Sequence, residues 1–244
     1  MIWTRPGGSD DGPLLVLLHG LGANAEAWRG VEELLPDAWS GGWLAVDLPG
    51  HGRSSWMPPY TFEAQGRAID EVLPDDRDLV LLGHSMGAMP ALCIAAKRAN
   101  VSHVIGFSIK TYWPPTHLAG LQRQAEREPV VFARREVAVG RYLKLAGLDG
   151  LTSPDDPAVD AGVAEVEGGW RVAQDPASFD FGTPDMRSLV DASSCRLTLA
   201  RGSNDHLVRP ENVSEYVDDP VTLDGLGHNP HVEDPPAIIG LLGL

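Results

Sequence analysis

Apolar residues in this chain gather into short runs separated by longer stretches of mixed polarity. Leu14–Leu18, Gly42–Asp47, Asp78–Leu82 and Val101–Ile109 are runs of strand length, and Cys195–Ala200 and Pro220–Leu223 follow much later. Runs that are apolar at consecutive rather than alternate positions predict strands covered on both faces, as in a parallel sheet. Between the first two, Asn24–Leu35 has helical composition, with Asn24 placed to cap it and Pro36 beyond its end. Ala88–Ala99 predicts a second helix, because Pro90 falls in a first turn whose amides lack partners anyway. Pro236–Leu244 predicts a closing one. Strand, helix and strand in that order make a βαβ unit with a right-handed crossover.

The pattern changes at Tyr112-Trp113-Pro114-Pro115. From there to about Pro184 the strand runs stop, and helical stretches, Leu118–Arg127 and Val130–Leu145, alternate with breaks rich in Pro, Gly and Asp. The expected organisation is one α/β domain built from 1–109 and 185–244, a mostly parallel twisted sheet with helices on both faces, with 110–184 inserted as a helical lid. A length of 244 residues suits a single domain of this kind.

Chemistry concentrates where the third run ends, in Gly83-His84-Ser85-Met86-Gly87. A strand followed at once by a helix needs a tight turn, and glycines two positions either side of the serine remove the Cβ clashes that would prevent it. The serine itself then takes the strained position, with its hydroxyl lifted clear and helix N-terminal amides aimed at the same point. A serine hydroxyl is a weak nucleophile unless a base lies within hydrogen-bond reach and an acceptor orients that base. Asp205 and His228, each just beyond a predicted strand, supply an acid and a base in the order serine, acid, histidine. Asp180 and Asp185 are alternative acids; His231 and His206 are alternative bases.

These stretches together resemble the α/β-hydrolase superfamily. His19-Gly20-Leu21-Gly22 is similar to its oxyanion loop, Asp47-Leu48-Pro49-Gly50-His51-Gly52-Arg53-Ser54 to its D-x-P-G-x-G-x-S turn, and Gly83 to Gly87 to its nucleophile elbow. Gly202–Val208 resembles the acid loop and Gly227–Pro235 the histidine loop. The resemblance implies that Ser85 attacks, His228 moves the proton, Asp205 fixes the histidine tautomer, and the amides of Leu21 and Met86 hold the oxyanion. It implies a serine hydrolase acting through an acyl-enzyme on a small-molecule ester, thioester or lactone, with no cofactor. Carbon–carbon hydrolysis, a lyase reaction and ligand sensing in the same pocket are alternatives. Gly20, His84, Trp113, Phe132 and Tyr142 are expected to line the pocket, with Trp28, Trp170 and Phe179 weaker candidates among the aromatics. His51 and Arg53 are expected to hold their own turn together.

Composition narrows the partners. With 19 Lys and Arg against 34 Asp and Glu, the formal charge of −15 argues against nucleic acid and anionic membrane surfaces. Cys93 and Cys195 lie far apart in apolar segments, which suggests buried free thiols and a reducing, cytoplasmic setting. The residues from Met1 to Gly8 show no leader pattern, and no apolar run reaches the length of a membrane span. No histidine and carboxylate cluster has metal-ligand spacing, so no metal is expected.

Overall fold

The computed structural model describes residues 1–183 and 185–243. Its strands are β1 (Thr4–Gly8), β2 (Leu14–Leu18), β3 (Gly42–Val46), β4 (Leu79–His84), β5 (Val101–Phe107), β6 (Val163–Val166), β7 (Gly169–Val172), β8 (Arg196–Gly202) and β9 (Val221–Leu223). Seven of them form one sheet in the order β1-β3-β2-β4-β5-β8-β9. Every neighbouring pair in it is parallel except β1 with β3. The chain is thus α/β with a mostly parallel sheet, and β4, which carries the elbow, sits at its middle.

Alternation along each strand sends residues to opposite faces. Leu14, Val16, Leu18, Leu79 and Leu81 pack on one side, with Phe62 and Ile69 of the Phe62–Asp70 helix and most of the Ala88–Ala95 helix. Leu15, Leu17, Val80, Leu82 and Phe107 pack on the other, against Trp28, Val31, Leu35, Ile238 and Leu241. All of β2 is buried, which is why its sequence shows no alternation. Each buried leucine there stabilises the fold by about 1.5–3 kcal/mol, so the central strands hold the frame on which the loops are mounted.

Several elements depart from expectation. Asn24 does cap a helix, accepting from the Glu26 amide, but that helix is a 3₁₀ turn, Ala25–Trp28, followed by a short α-helical piece, Arg29–Glu32. Pro36 lies inside the next short helix, Leu35–Ala38, rather than beyond an end. Strand β1 and the Phe62–Asp70 helix were not anticipated. The chain between β5 and β8 carries helices over Pro115–Ala125 and Arg135–Ala146. It is not wholly helical: β6 and β7 form an antiparallel hairpin there, turning at Glu167 and Gly168. This excursion has its own apolar core of Ala138, Val139, Tyr142, Leu143, Val159 and Val163. Pro184, the expected end of the lid, and Leu244, the expected end of the closing helix, lie outside the described residues; that helix runs Pro235–Leu242. Cys93 is buried and Cys195 only partly so, both as free thiols. No helix among the described residues is long and apolar enough to cross a membrane.

Candidate active site

Ser85 stands at φ +49°, a left-handed conformation that a non-glycine residue takes only when its surroundings enforce it. The enforcement is visible in its neighbours. A Cβ on Gly83 would come 2.5 Å from Ala88 Cα, and one on Gly87 would come 2.3 Å from the Leu18 carbonyl oxygen. Both glycines are therefore contact points, Gly83 against the following helix and Gly87 against the end of β2. Met86 is the second residue of the short 3₁₀ helix Ser85–Gly87, where an amide has no partner earlier in the helix.

The loops after β8 and β9 bring the other two groups to this serine. His228 Nε2 lies 3.2 Å from Ser85 Oγ, and His228 Nδ1 lies 2.9 Å from Asp205 Oδ2. A carboxylate can only accept, so Nδ1–H donates to Asp205 and the bare Nε2 accepts from the serine hydroxyl. The two loops are sewn together at main-chain level. A Cβ on Gly202 would come 2.2 Å from the Leu226 carbonyl, and the Asn204 amide donates to that carbonyl at 2.8 Å. Glu233, which the sequence reading missed, accepts from the amides on either side of His228, Gly227 at 2.6 Å and Asn229 at 2.9 Å. The signal for it was present: a glutamate five residues on, in the first turn of the Pro230–Glu233 helix. His84 donates from Nε2 to the His228 carbonyl at 2.8 Å. Burial, aided by the neighbouring His231 and His228, pushes the His84 imidazole well down from its ordinary value, so it stays neutral.

Asp205 is buried and also accepts from the Leu207 amide at 2.8 Å. Burial would push its carboxyl up, but the His228 hydrogen bond and charge and the Leu207 amide outweigh that and hold it below the usual carboxylate value. The alternatives are placed elsewhere. Asp185 is exposed and caps the Met186–Ala192 helix, Asp180 is exposed, and His206 points to solvent. His231 is fully buried between Trp28 and His84.

Ser85 and His228 open into a cavity of about 320 Å³ that Gly20, Leu21, His84 and Met86 also line. Its far wall comes from Trp113, Leu121, Phe62, Met89 and Phe181. A Cβ on Gly20 would lie 3.4 Å from Ser85 Cβ, which places the Gly20-Leu21 peptide directly beside the serine. His19 fixes that loop, with Nδ1–H to the Gly20 carbonyl at 2.8 Å and Nε2 accepting from the Leu48 amide at 2.9 Å. The excursion between β5 and β8 roofs the cavity, and Asn229 ties it down by donating to the Gly147 carbonyl at 3.0 Å.

Two expected pocket residues lie elsewhere. Tyr142 is buried in the core of the excursion, where its hydroxyl accepts from Asn24 at 3.0 Å. Phe132 pairs with Trp170 through main-chain bonds of 2.7 and 2.8 Å and lines a separate cavity of about 120 Å³. Aromatic residues at helical spacing pack where the local core needs volume, and the sequence alone does not say which side that is.

The Asp47 turn lies beside the site without entering it. Asp47 accepts from the Ala25 amide at 2.7 Å and the Arg53 amide and Nε at 2.8 Å each, and its Oδ1 also accepts from a terminal Arg53 nitrogen at 3.1 Å. Arg53 continues to Glu26 at 2.6 Å. His51 Nδ1 donates to the Pro49 carbonyl at 3.0 Å.

A mostly parallel seven-stranded sheet flanked by helices, with a strained serine between its central strand and the next helix, is the α/β-hydrolase fold. The sequence matches the Alpha/beta hydrolase family over residues 15–240, and the chain belongs to that family. Among solved structures it is similar to the thioesterase domain from the curacin biosynthetic pathway, at 25% identity and TM-score 0.80 over 100% of this chain and 95% of that one. It is also similar to E-2-(acetamidomethylene)succinate hydrolase, at 23% identity and TM-score 0.77 over 98% of this chain and 92% of that one. A novel esterase from Mycobacterium tuberculosis matches at 22% identity and TM-score 0.71, over 100% and 90% of the two chains. At their identities the last two bear on fold alone.

Proposed function

We propose that this protein is a serine hydrolase that cleaves a small-molecule ester, thioester or lactone through an acyl-enzyme on Ser85. The observation that carries the reading is the relay Ser85–His228–Asp205, at 3.2 and 2.9 Å, opening into a cavity of ligand size. His228 Nε2 takes the hydroxyl proton as Ser85 Oγ bonds to the substrate carbonyl carbon. The negative charge that forms on the carbonyl oxygen is met by the amides of Leu21 and Met86. As the tetrahedral species collapses, the C–O or C–S bond breaks and His228 returns the proton to the leaving group. Water then repeats the sequence and frees the acid. Losing one oxyanion donor raises such a barrier by about 2.7–4 kcal/mol, which makes the placement of Gly20-Leu21 as important as the relay. Residues 110–184 act as the lid of this site. The likeness to a thioesterase domain supports acyl transfer over other uses of the fold.

Ser85→Ala tests the assignment. Turnover of p-nitrophenyl butyrate should fall by a factor on the order of 10⁴ or more, with the fold intact by circular dichroism. Wild-type protein mixed with that ester and quenched early should carry one butyryl group on Ser85 by intact mass. Undiminished activity in Ser85→Ala would overturn the reading, and turnover without any adduct would point to proton abstraction instead.

A further inference from the structure

The chain has only three lysines, Lys97, Lys110 and Lys144, and two of them, Lys110 and Lys144, line the Ser85 cavity. That distribution stands out in a protein of net charge −15. Among the described residues no aspartate or glutamate lines the cavity. Among the described residues neither lysine takes part in an ion pair. Lys144 has an independent reason for its place, since it lies in the last turn of the Arg135–Ala146 helix, where a cation is favoured by the dipole. Lys110 has none. It follows β5 in a non-helical stretch, it is partly buried, and its Nζ donates to His117 Nδ1 at 2.9 Å. Burial pushes its ammonium down from the ordinary value. A cation partly withdrawn from water, held against an imidazole and without a carboxylate partner among the described residues, keeps donor capacity that an anion in the cavity can take up.

We infer that the substrate carries an anionic group, a carboxylate or phosphate, which Lys110 and Lys144 receive within the Ser85 cavity. The inference rests on the proposed acyl transfer at Ser85 and adds a substrate class to it. In a protein of this net charge, two lysines in one recess, with no carboxylate lining it among the described residues, focus a field that draws an anion there. The apolar wall of Trp113, Leu121 and Phe181 takes the hydrocarbon part. The charge can belong to the acyl half of the substrate or to its leaving group, and the two sources are separable.

Three unreactive amide isosteres of an aryl ester make the test. Butyranilide is neutral, glutaranilic acid carries a carboxylate on the acyl side, and 4-butyramidobenzoate carries one on the leaving-group side. Calorimetric titration of the wild-type protein should show one of the two anions binding at least about tenfold more tightly than butyranilide, as expected for a charge-assisted hydrogen bond. Which anion wins identifies the source. High salt should erode that advantage, because screening acts on the charge and not on the apolar contacts. Lys110→Met should remove most of the advantage and Lys144→Met part of it; the exposed Lys144 position keeps a folded variant available if the first misfolds. The inference is overturned if neither anion outbinds butyranilide, or if the advantage persists in both variants. A protein that binds the anion selectively but turns over no ester would retain this subsite and lose acyl transfer. Brisk turnover of neutral esters with no anion preference would do the reverse.

Discussion

Asp47 and Asp205 are both buried carboxylates on loops at the carboxyl edge of the sheet, each accepting from backbone amides, yet they end in different partners. Asp47 ends in Arg53, which holds it through both oxygens and then continues to Glu26. Burial pushes the Asp47 carboxyl up, and Arg53 with the surrounding amides outweighs it and holds the group low. Arginine keeps its charge at any ordinary pH, so the pair is permanent and the turn is fixed. Asp205 ends in His228, whose other nitrogen faces Ser85. Its partner is an imidazole that reaches a third group, so under the proposed mechanism the same burial orients the base. The difference teaches that a buried acid reads as scaffold when its counter-ion is constant, and as machinery when its counter-ion is titratable and reaches a third group.

The sharpest way to break this contrast is to neutralise each acid in turn. Asp205→Asn should lower kcat for p-nitrophenyl butyrate by a factor on the order of 10⁴, because an amide no longer enforces the Nδ1–H tautomer, while stability falls less than in the Asp47 variant. Asp47→Asn should do the opposite. It leaves Arg53 with Glu26 as its remaining carboxylate and should cost about 2 kcal/mol in urea unfolding through the lost charge-assisted hydrogen bonds, with activity per folded molecule retained. If Asp47→Asn abolished activity at full stability, the contrast would fail.

Acid should probe the scaffold next. Burial pushes His19 down to about 4, and His51 and His231 to about 3, from an ordinary 6.5. The unfolded chain therefore takes up protons below 6.5 that the folded chain refuses. Stability should fall as pH drops from 6.5 toward 4, by up to about 1.4 kcal/mol per pH unit for each such histidine. Asp205 and Asp47, both held low, add to the loss further down, as pH falls through their depressed values. Thermal unfolding at a series of pH values reads this, and a flat midpoint across that window would contradict it. The smallest effect belongs to Glu233→Gln. One of its two acceptor oxygens becomes a donor facing an amide, which should loosen the His228 loop, lowering kcat/KM about tenfold and stability by about 1 kcal/mol.

What the sequence made legible follows from how strongly each position is constrained. Strands β2 to β5 were readable because burial on both faces leaves no polar alternation to confuse. The elbow was readable because its glycines answer to backbone contacts that no other residue fits. Strand β1 was not, since Thr4-Arg5-Pro6-Gly7-Gly8 is an edge strand with little apolar content, and the Trp43 ring against Gly7 lies far along the chain. The hairpin Val163–Val172 did carry a signal in its turn, Glu167-Gly168 followed by Gly169, but four-residue strands are too short to outweigh the helical composition around them. Tyr142 and Phe132 were misplaced for a related reason: an aromatic residue advertises burial and not the wall it faces. Lys110 was overlooked because a lone lysine gains meaning only when its neighbours in space are known.

The close contacts of Gly83, Gly87 and Gly202 also bear on redesign. Each presses on main-chain atoms, Gly83 on the helix that follows it, Gly87 on the end of β2 and Gly202 on the loop after β9, so none of the three positions has room for a side chain. A mutant library aimed at new substrates would waste its diversity there. Its productive positions are on the roof and far wall, Trp113, Leu121, Leu145 and Phe181, which line the cavity. The protein is in this sense a fixed chassis with an exchangeable upper deck, and retargeting should proceed by recombining the segment between β5 and β8 rather than by point changes near Ser85.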